Sequence, residues 1–254
     1  MLHFFEKGQG PALLFLHGFC ESGEMWSYFA DSLSTQYRVL CPDLPGFGNS
    51  PLTSSITSLE EVAQQLEEWM ETLQIKDAIV LGHSLGGYVA LALLERMGTR
   101  IQAIGLLHST AYADDLEKKE MRNRTLTFLK KHGASKFVTS FVPQLFPEHR
   151  RIELADAMAH AIEDGKRSSL EGLLAYTIAM RDRVDRLEVL QQFAGPKLLL
   201  AGTVDGSVKI ESSRAQQTAF THYIELEGVG HLGMVEEKEK TLEIVQNFVR
   251  EVLK

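Results

Sequence analysis

Short apolar runs alternate with amphipathic stretches along most of this 254-residue chain. Such an alternation is typical of a mainly parallel sheet whose strands are connected by helices on both of its faces. The sequence therefore predicts the α/β class. Strands are expected at Leu2–Phe5, Leu13–His17, Arg38–Pro42, Ala78–Gly82, Ala103–His108, Lys197–Ala201 and Tyr223–Leu226.

The first two predicted strands are joined through the short segment Gly8-Gln9-Gly10. A glycine-containing connection of this length allows the chain to reverse as a hairpin. We therefore expect the first two strands to pair with each other, in antiparallel orientation, at one edge of the sheet.

The helices between the strands are marked by their apolar periodicity. Ser58 and Glu61 form a capping box, and apolar residues follow at spacings of three and four, which predicts a surface helix packed on the sheet. Gly87–Met97 is almost wholly apolar up to Glu95, which predicts a deeply buried helix. Thr241–Val252 is expected to be the closing helix.

The alternation fails between residues 111 and 193, where three or four helical stretches follow one another and Pro143 and Pro147 interrupt the middle. We predict an all-helical insertion at 111–193 in a core made of 1–110 and 194–254. Its aromatic residues fit either the core of a second packed subdomain or a lid that shapes a pocket over the carboxyl ends of the strands.

Composition excludes some classes of function. The net charge is −8, and the chain lacks the clustered Lys and Arg with which proteins neutralise nucleic-acid phosphates. The beginning of the chain lacks the basic leader of a signal peptide, and no run approaches the roughly 18 apolar residues of a membrane span. We therefore expect a cytoplasmic protein that binds neither nucleic acid nor membrane. Cys20 and Cys41 are expected to be small core residues.

The segment Ile79–Gly87 places the string G-x-S-x-G between an apolar run and a helical stretch. A strand that turns sharply into a helix strains the backbone of its central residue, here Ser84, and leaves no room for side chains two positions before and after it. The turn projects the Ser84 hydroxyl outward. The amide of Leu85, at the start of the helix, faces the place where negative charge develops in acyl transfer. The context indicates a nucleophilic serine.

A serine hydroxyl needs a base, which in turn needs an orienting carboxylate. His231 lies in a glycine-rich loop just after the last predicted strand, so we expect it to be the base rather than an ordinary loop histidine. Four other histidines are expected on the surface or on helix faces, namely His3, His132, His149 and His160.

The carboxylate is expected at Asp205, which follows the strand Lys197–Ala201 at the same edge of the sheet. The alternative is that Asp205 only caps its own loop, in which case Asp114 or Asp185 would be the next candidate. The chain order Ser84, Asp205, His231 is the one expected when G-x-S-x-G stands between a strand and a helix.

A second donor for the developing negative charge is expected after an earlier central strand. The run Leu14–Phe19 ends in His-Gly-Phe, which favours the Phe19 amide as this donor and His17 as a structural residue. Residues beside this machinery, or on the apolar face of the helical segment, are candidates for substrate contacts. They are His83, Tyr88, Phe141, Phe146 and Leu232.

Three blocks carry a resemblance to a known family: His-Gly-Phe at 17–19, Asp-Leu-Pro-Gly-Phe-Gly-Asn-Ser at 43–50 and Gly-His-Ser-Leu-Gly-Gly at 82–87. With them the chain resembles the small lidded members of the α/β-hydrolase superfamily over nearly its whole length. The apolar helical segment and the absence of an obvious arginine clamp favour a small or medium uncharged carboxylic ester, and no paired His-x-x-x-His or Cys-x-x-Cys pattern suggests a metal, so no cofactor is expected. The resemblance implies a serine hydrolase that forms an acyl-enzyme on Ser84. It also implies that Phe19 and Leu85 form the oxyanion hole and that 111–193 is the lid.

The same superfamily offers other chemistries. Members with an aspartate nucleophile are disfavoured because Ser84 occupies that position. Carbon–carbon bond hydrolases, cofactor-free haloperoxidases and a lyase of menaquinone synthesis remain alternatives, as does a ligand-binding member without turnover. The lyase carries an arginine in the helical turn after its serine, where this chain has Tyr88.

A dinucleotide site is the remaining hypothesis, because Gly228–Gly233 spells G-x-G-x-x-G after a strand. That fingerprint requires a helix, a further strand and a ribose-binding acid after it, and only about twenty residues remain. The hypothesis is therefore rejected.

Overall fold

The computed structural model describes residues 2–52, 56 and 58–254. Seven strands form one sheet, in the order β1-β3-β2-β4-β5-β6-β7. All neighbouring strands run parallel except β1, which is antiparallel to β3. The strands are β1 (Phe4–Lys7), β2 (Ala12–Leu16), β3 (Arg38–Pro42), β4 (Ala78–His83), β5 (Ile101–Leu107), β6 (Lys197–Gly202) and β7 (His222–Leu226).

Eleven α-helices lie in the described part of the chain. They are α1 (Ser27–Leu33), α2 (Leu59–Thr72), α3 (Leu85–Met97), α4 (Leu116–His132), α5 (Ala134–Phe141), α6 (Ala155–Gly165), α7 (Leu170–Asp182), α8 (Leu187–Gln192), α9 (Ile210–Gln216), α10 (Gly233–Glu236) and α11 (Lys238–Val252). The predicted α/β class is confirmed, and every predicted strand boundary lies within two residues of the observed one.

The predicted hairpin between the first two strands is wrong. β1 does pair in antiparallel orientation at the sheet edge, but its partner is β3, with Phe4 opposite Pro42. β2 is an interior strand that pairs with β3 on one side and β4 on the other. Gly8 and Gly10, both at positive φ, carry the chain past the end of β3 instead of folding it back on β1.

The central strands and α3 form the core because they are apolar on every side. All residues of β4 and β6 are buried, which is the pattern of a parallel strand covered by helices on both faces. α3 starts directly after β4 and buries eleven of its residues. α2 packs on α3 with one apolar face, and the Ser58 hydroxyl caps it by accepting from the amide of Glu61 at 3.3 Å.

The segment between β5 and β6 contains the helices α4 to α8. Around Pro143 and Pro147 the chain forms two short 3-10 turns, Val142–Leu145 and Glu148–Arg150, because proline cannot continue an α-helix at those points. Aromatic rings join the segment to the core: Phe19 meets Phe141 edge to face at 5.9 Å.

The base of the helical segment is held by a buried ion pair. Nη1 of Arg183, at the end of α7, lies 2.6 Å from Oδ1 of Asp114, just before α4, and both side chains are almost fully buried. The Arg183 guanidinium also covers the ring of Tyr88 at 4.0 Å from its centroid. The two ends of the segment are therefore tied to each other and to α3.

Within the described residues, none of the helices has the length and apolar character that crossing a membrane requires.

We expect Asp114→Asn to destabilise the fold by about 3 kcal/mol or more, because it leaves Arg183 buried beside a neutral partner. Asp182→Asn is the matched control: its contact with Arg181 is partly exposed and should contribute less than about 1 kcal/mol. Urea unfolding measures both. Equal effects of the two changes would contradict the importance of the buried pair.

Candidate active site

The residue at the turn between β4 and α3 is Ser84, whose backbone lies at φ 49° and ψ −114°. The turn is tight enough to require glycine on both sides. A Cβ on Gly82 would collide with the carbonyl of Gly86, and a Cβ on Gly86 would collide with the carbonyl of Leu16 in β2. The glycines of the motif thus allow the turn that presents the Ser84 side chain at the carboxyl edge of the sheet.

Ser84, His231 and Asp205 form one hydrogen-bonded chain. Nε2 of His231 lies 2.9 Å from the Ser84 hydroxyl oxygen, and its Nδ1 lies 2.8 Å from Oδ2 of Asp205. His231 follows β7, and Asp205 follows β6, so three different strand ends meet here. The structure brings together the three residues that the sequence grouped.

The Asp205 carboxylate is held on both oxygens. Oδ1 accepts from the amides of Ser207 and Val208 at 2.7 and 2.9 Å, while Oδ2 faces His231. The carboxylate therefore caps its own loop and also contacts the histidine. Burial disfavours its charge, but His231 and the ring of His108 outweigh burial and hold the pKa of Asp205 well below its usual range.

The alternative acids lie elsewhere. Asp114 pairs with Arg183 and Arg122 at the base of the helical segment. Asp185 accepts from the amide of Leu187 at the start of α8. Neither contacts His231.

A second histidine, which sequence reasoning missed, stands beside Asp205. His108 follows β5 at φ 50°, is fully buried, and places Nδ1 3.4 Å from Oδ2 of Asp205. Burial lowers the pKa of His108. Its place at the end of a central strand was the available signal, since the other members of the site occupy equivalent positions.

His108, Asp205 and His231 also have potential metal ligand atoms within 4.8 Å of one another. A metal ion bound there would take the Nδ1 lone pair of His231, which would remove the proton shared with Asp205. Nδ1 of His231 can bind either a metal ion or Asp205, but not both. In the structure it lies 2.8 Å from Oδ2 of Asp205.

The loop that carries His231 is fixed from several directions. Glu236 accepts from the amides of Gly230 at 2.8 Å and Leu232 at 3.0 Å, on either side of the histidine. The His231 amide itself donates to the carbonyl of Leu145 in the helical segment at 3.0 Å. Burial raises the pKa of Glu236. The helical segment therefore contacts the histidine loop through the backbone.

The amides of Leu85 and Phe19 are the predicted donors of an oxyanion hole. Leu85 is the first residue of α3, and the first amides of a helix have no acceptor within it. Phe19 follows the β2 loop, which His17 holds: its Nε2 accepts from the Leu44 amide and its Nδ1 donates to the Gly18 carbonyl, both at 2.8 Å. Burial lowers the pKa of His17, consistent with this neutral, structural imidazole.

The structure places the five residues that were predicted to contact substrate in different environments. His83 is fully buried and uses both ring nitrogens in protein contacts, so it does not face a pocket. The His83 prediction does not fit the structure, because sequence proximity to the serine does not tell which way a side chain points. Phe146 and Tyr88 are 1% and 5% exposed, and Leu232 is 2% exposed, so burial does not separate them. Tyr88, Phe141, Phe146 and Leu232 stay predictions.

A cavity of about 280 Å³ lies between the helical segment and the core. It borders Leu232 and Cys20, the chain neighbours of His231 and Phe19. Its wall is largely apolar, with carboxylates at Glu21, Glu24 and Asp164. Apolar lining residues from the helical segment are Val142, Leu145, Ala157 and Ala161.

A strained serine between a strand and a helix, at the carboxyl edge of a mostly parallel sheet, is the arrangement by which α/β hydrolases are recognised. The family described as "alpha/beta hydrolase fold" matches residues 11–238, and the chain belongs to this family.

Known proteins agree with this assignment. The chain is 29% identical over 251 residues to a pimeloyl-[acyl-carrier protein] methyl ester esterase of Aeromonas salmonicida (strain A449), covering 95% of this chain and 96% of that protein. A thermophilic esterase from Thermogutta terrifontis has a TM-score of 0.92 at 26% identity, covering 99% of this chain and 93% of the other. An enol-lactonase from Burkholderia xenovorans LB400 shares the fold, with a TM-score of 0.90, 22% identity and coverages of 98% and 96%. The chain is a carboxylesterase-like hydrolase.

We expect Gly86→Ala to destabilise the protein by about 1–3 kcal/mol, because the added methyl group meets the backbone of β2. Gly206→Ala is the control, since a Cβ there has no neighbour within 4 Å. Thermal unfolding compares the two. A Gly86→Ala protein as stable as Gly206→Ala would show that the turn has more room than the structure indicates.

Proposed function

We propose that the protein hydrolyses small or medium, uncharged carboxylic esters through an acyl-enzyme on Ser84. The observation that supports this most is the continuous chain of contacts from the Ser84 hydroxyl through His231 to Asp205, at 2.9 and 2.8 Å. Asp205 keeps the proton of His231 on Nδ1, so that Nε2 is left to accept the serine proton.

The reaction takes place in two halves. Ser84 Oγ attacks the ester carbonyl while His231 takes its proton, and the amides of Phe19 and Leu85 bind the resulting oxyanion. His231 then gives the proton to the leaving alcohol, and the carbonyl stays on Ser84 as an ester. In the second half His231 deprotonates a water, which attacks the acyl carbonyl. The bond between this carbon and Ser84 Oγ then breaks, His231 returns the proton to Oγ, and the carboxylic acid leaves.

The cavity beside Leu232 supports a substrate of small or medium size. Its volume of about 280 Å³ fits a short to medium chain, and its largely apolar wall favours an uncharged group. The relative from Aeromonas is named for a methyl ester, in which the acyl carboxylate is neutralised. Carbon–carbon cleavage, perhydrolysis and lyase chemistry use the same three residues, and ester hydrolysis is the chemistry favoured by the named relatives.

We expect Ser84→Ala and His231→Ala each to reduce the release of p-nitrophenol from a short-chain ester by several orders of magnitude, and Asp205→Asn by up to about ten-thousandfold. His132→Ala, an exposed histidine of α4, should keep full activity. Near wild-type turnover in Asp205→Asn would assign the acid to another residue. No turnover by the wild-type protein on any activated ester would favour a ligand-binding member of the family.

The cavity predicts a change in chain-length preference. Ala161→Phe fills part of the cavity, so kcat/KM should fall for longer acyl chains while the shortest esters are largely spared. Ala159→Phe, on the exposed side of α6, is the control for added bulk in the same helix. A panel of p-nitrophenyl esters of increasing acyl length measures both. An unchanged preference in Ala161→Phe would place the acyl chain elsewhere.

A further inference from the structure

One buried carboxylate joins two loops of the catalytic centre. Oε2 of Glu21 accepts from the Gly18 amide at 2.5 Å, next to Phe19, and lies 2.9 Å from Nδ1 of His83. His83 precedes Ser84 directly. The Glu21 side chain is 10% exposed and that of His83 is fully buried. The loop after β2 and the turn after β4 are therefore tied together by a largely buried contact.

The other nitrogen of His83 reaches the third loop. Nε2 lies 2.9 Å from the backbone carbonyl oxygen of His231. A carbonyl oxygen can only accept, so Nε2 must carry a proton. One side chain thus connects the residue before the nucleophile to the backbone of the general base.

The second proton of the ring depends on the charge of Glu21. Oε2 of Glu21 accepts the Gly18 N–H and lies against Nδ1 of His83, so one proton lies between Oε2 and Nδ1. If Glu21 is ionised, that proton is on Nδ1 and His83 is an imidazolium; if Glu21 is a carboxylic acid, its O–H donates to Nδ1 and the ring is neutral. His17 in the same region differs: one of its nitrogens accepts the Leu44 N–H, which makes that ring neutral.

The surroundings of the two side chains agree with a charged pair. Burial opposes ionisation of both groups, yet their mutual attraction and hydrogen bonds outweigh it, raising the pKa of His83 and lowering that of Glu21. The His83 ring also stands near His108, with centroids 6.1 Å apart, and Asp205 attracts its charge.

We propose that Glu21 and His83 form a positioning pair that fixes the three catalytic loops and places a permanent positive charge beside the His231 ring. The rings of His83 and His231 have centroids only 4.9 Å apart. A positive charge at this distance repels a proton that arrives on His231 during turnover. The part of the proposal that concerns rate rests on the proposed ester hydrolysis.

Besides His83, other ionisable groups also face His231. Asp205 favours its protonation from the Nδ1 side, and the neutral His108 ring lies 6.1 Å away. Glu236 binds the amides on either side of the histidine and adds a further carboxyl group nearby. Among these groups His83 is the one that carries a positive charge. Its removal should therefore shift the acidic limb of the pH profile in one defined direction.

The first test does not depend on activity. In the full-length protein labelled with 15N-histidine, the two ring nitrogens of His83 should both give the signals of a protonated imidazolium at neutral pH. The assignment comes from the signals lost in His83→Gln. A neutral tautomer at this pH would overturn the proposal, even if the protein has no esterase activity.

The second test is the pH dependence of kcat/KM. His83→Gln removes the cation but leaves Glu21, so we expect the acidic limb to move to higher pH by about one unit, together with a rate loss of about tenfold to hundredfold. Glu21→Gln combined with His83→Gln removes both charges and should return the limb toward its wild-type position. The His17→Gln control replaces a neutral buried ring and should not move the limb, whatever it does to the rate.

The opposing result is a His83→Gln enzyme that loses rate while the acidic limb of its pH profile coincides with that of the wild type. This result would contradict the proposed positive charge on His83 and would show that the residue has only a structural role. If the wild-type protein hydrolyses no ester, the proposed function fails, and the nitrogen signals of His83 still decide whether the pair is charged.

Discussion

The strained backbone of Ser84 is the constraint on which the rest of the site depends. A non-glycine residue at φ 49° and ψ −114° costs about 1–3 kcal/mol and persists only where its surroundings hold it. Here the Ser84 amide donates to Leu107 in β5, and its carbonyl accepts from the Gly87 amide and from the Ser109 hydroxyl. The buried helix α3, packed against the central strands, supplies far more burial energy than the turn costs.

The catalytic arrangement is assembled from loops that hold one another. The His231 backbone is bonded on its amide side to Leu145 and on its carbonyl side to His83, while its ring contacts Ser84 and Asp205. Such buried polar networks are stable only when their members are paired, and they then fix one geometry. The position of the His231 ring therefore depends on residues outside the chain of contacts from Ser84 to Asp205.

The sequence was sufficient for the features that depend on local pattern. The strands follow from apolar runs, and the elbow follows from two glycines whose missing side chains the turn requires, so the order Ser84, Asp205, His231 could be placed at one edge of the sheet. Features that depend on tertiary contacts could not be predicted from the sequence. β1 pairs with β3 because the chain at Gly8 runs close to the backbone of Ser34 and Tyr37, just before β3. The rules that predict hairpins from sequence do not include such a contact.

The same limit applied to side-chain direction. His83 was expected to face the substrate because it adjoins Ser84, yet it points inward to Glu21, a residue 62 positions away in the chain. His108 escaped notice because it lies beside Asp205, a partner that only folding brings close.

The central claim is that Ser84 becomes covalently acylated during turnover, and mass spectrometry of the trapped intermediate tests it most directly. The protein is mixed with an activated ester, quenched in acid within the first turnovers and digested. The account predicts one peptide carrying the added acyl mass, the peptide that contains Ser84, and no such adduct in Ser84→Ala. An acyl group found on another residue of the active enzyme would contradict the account.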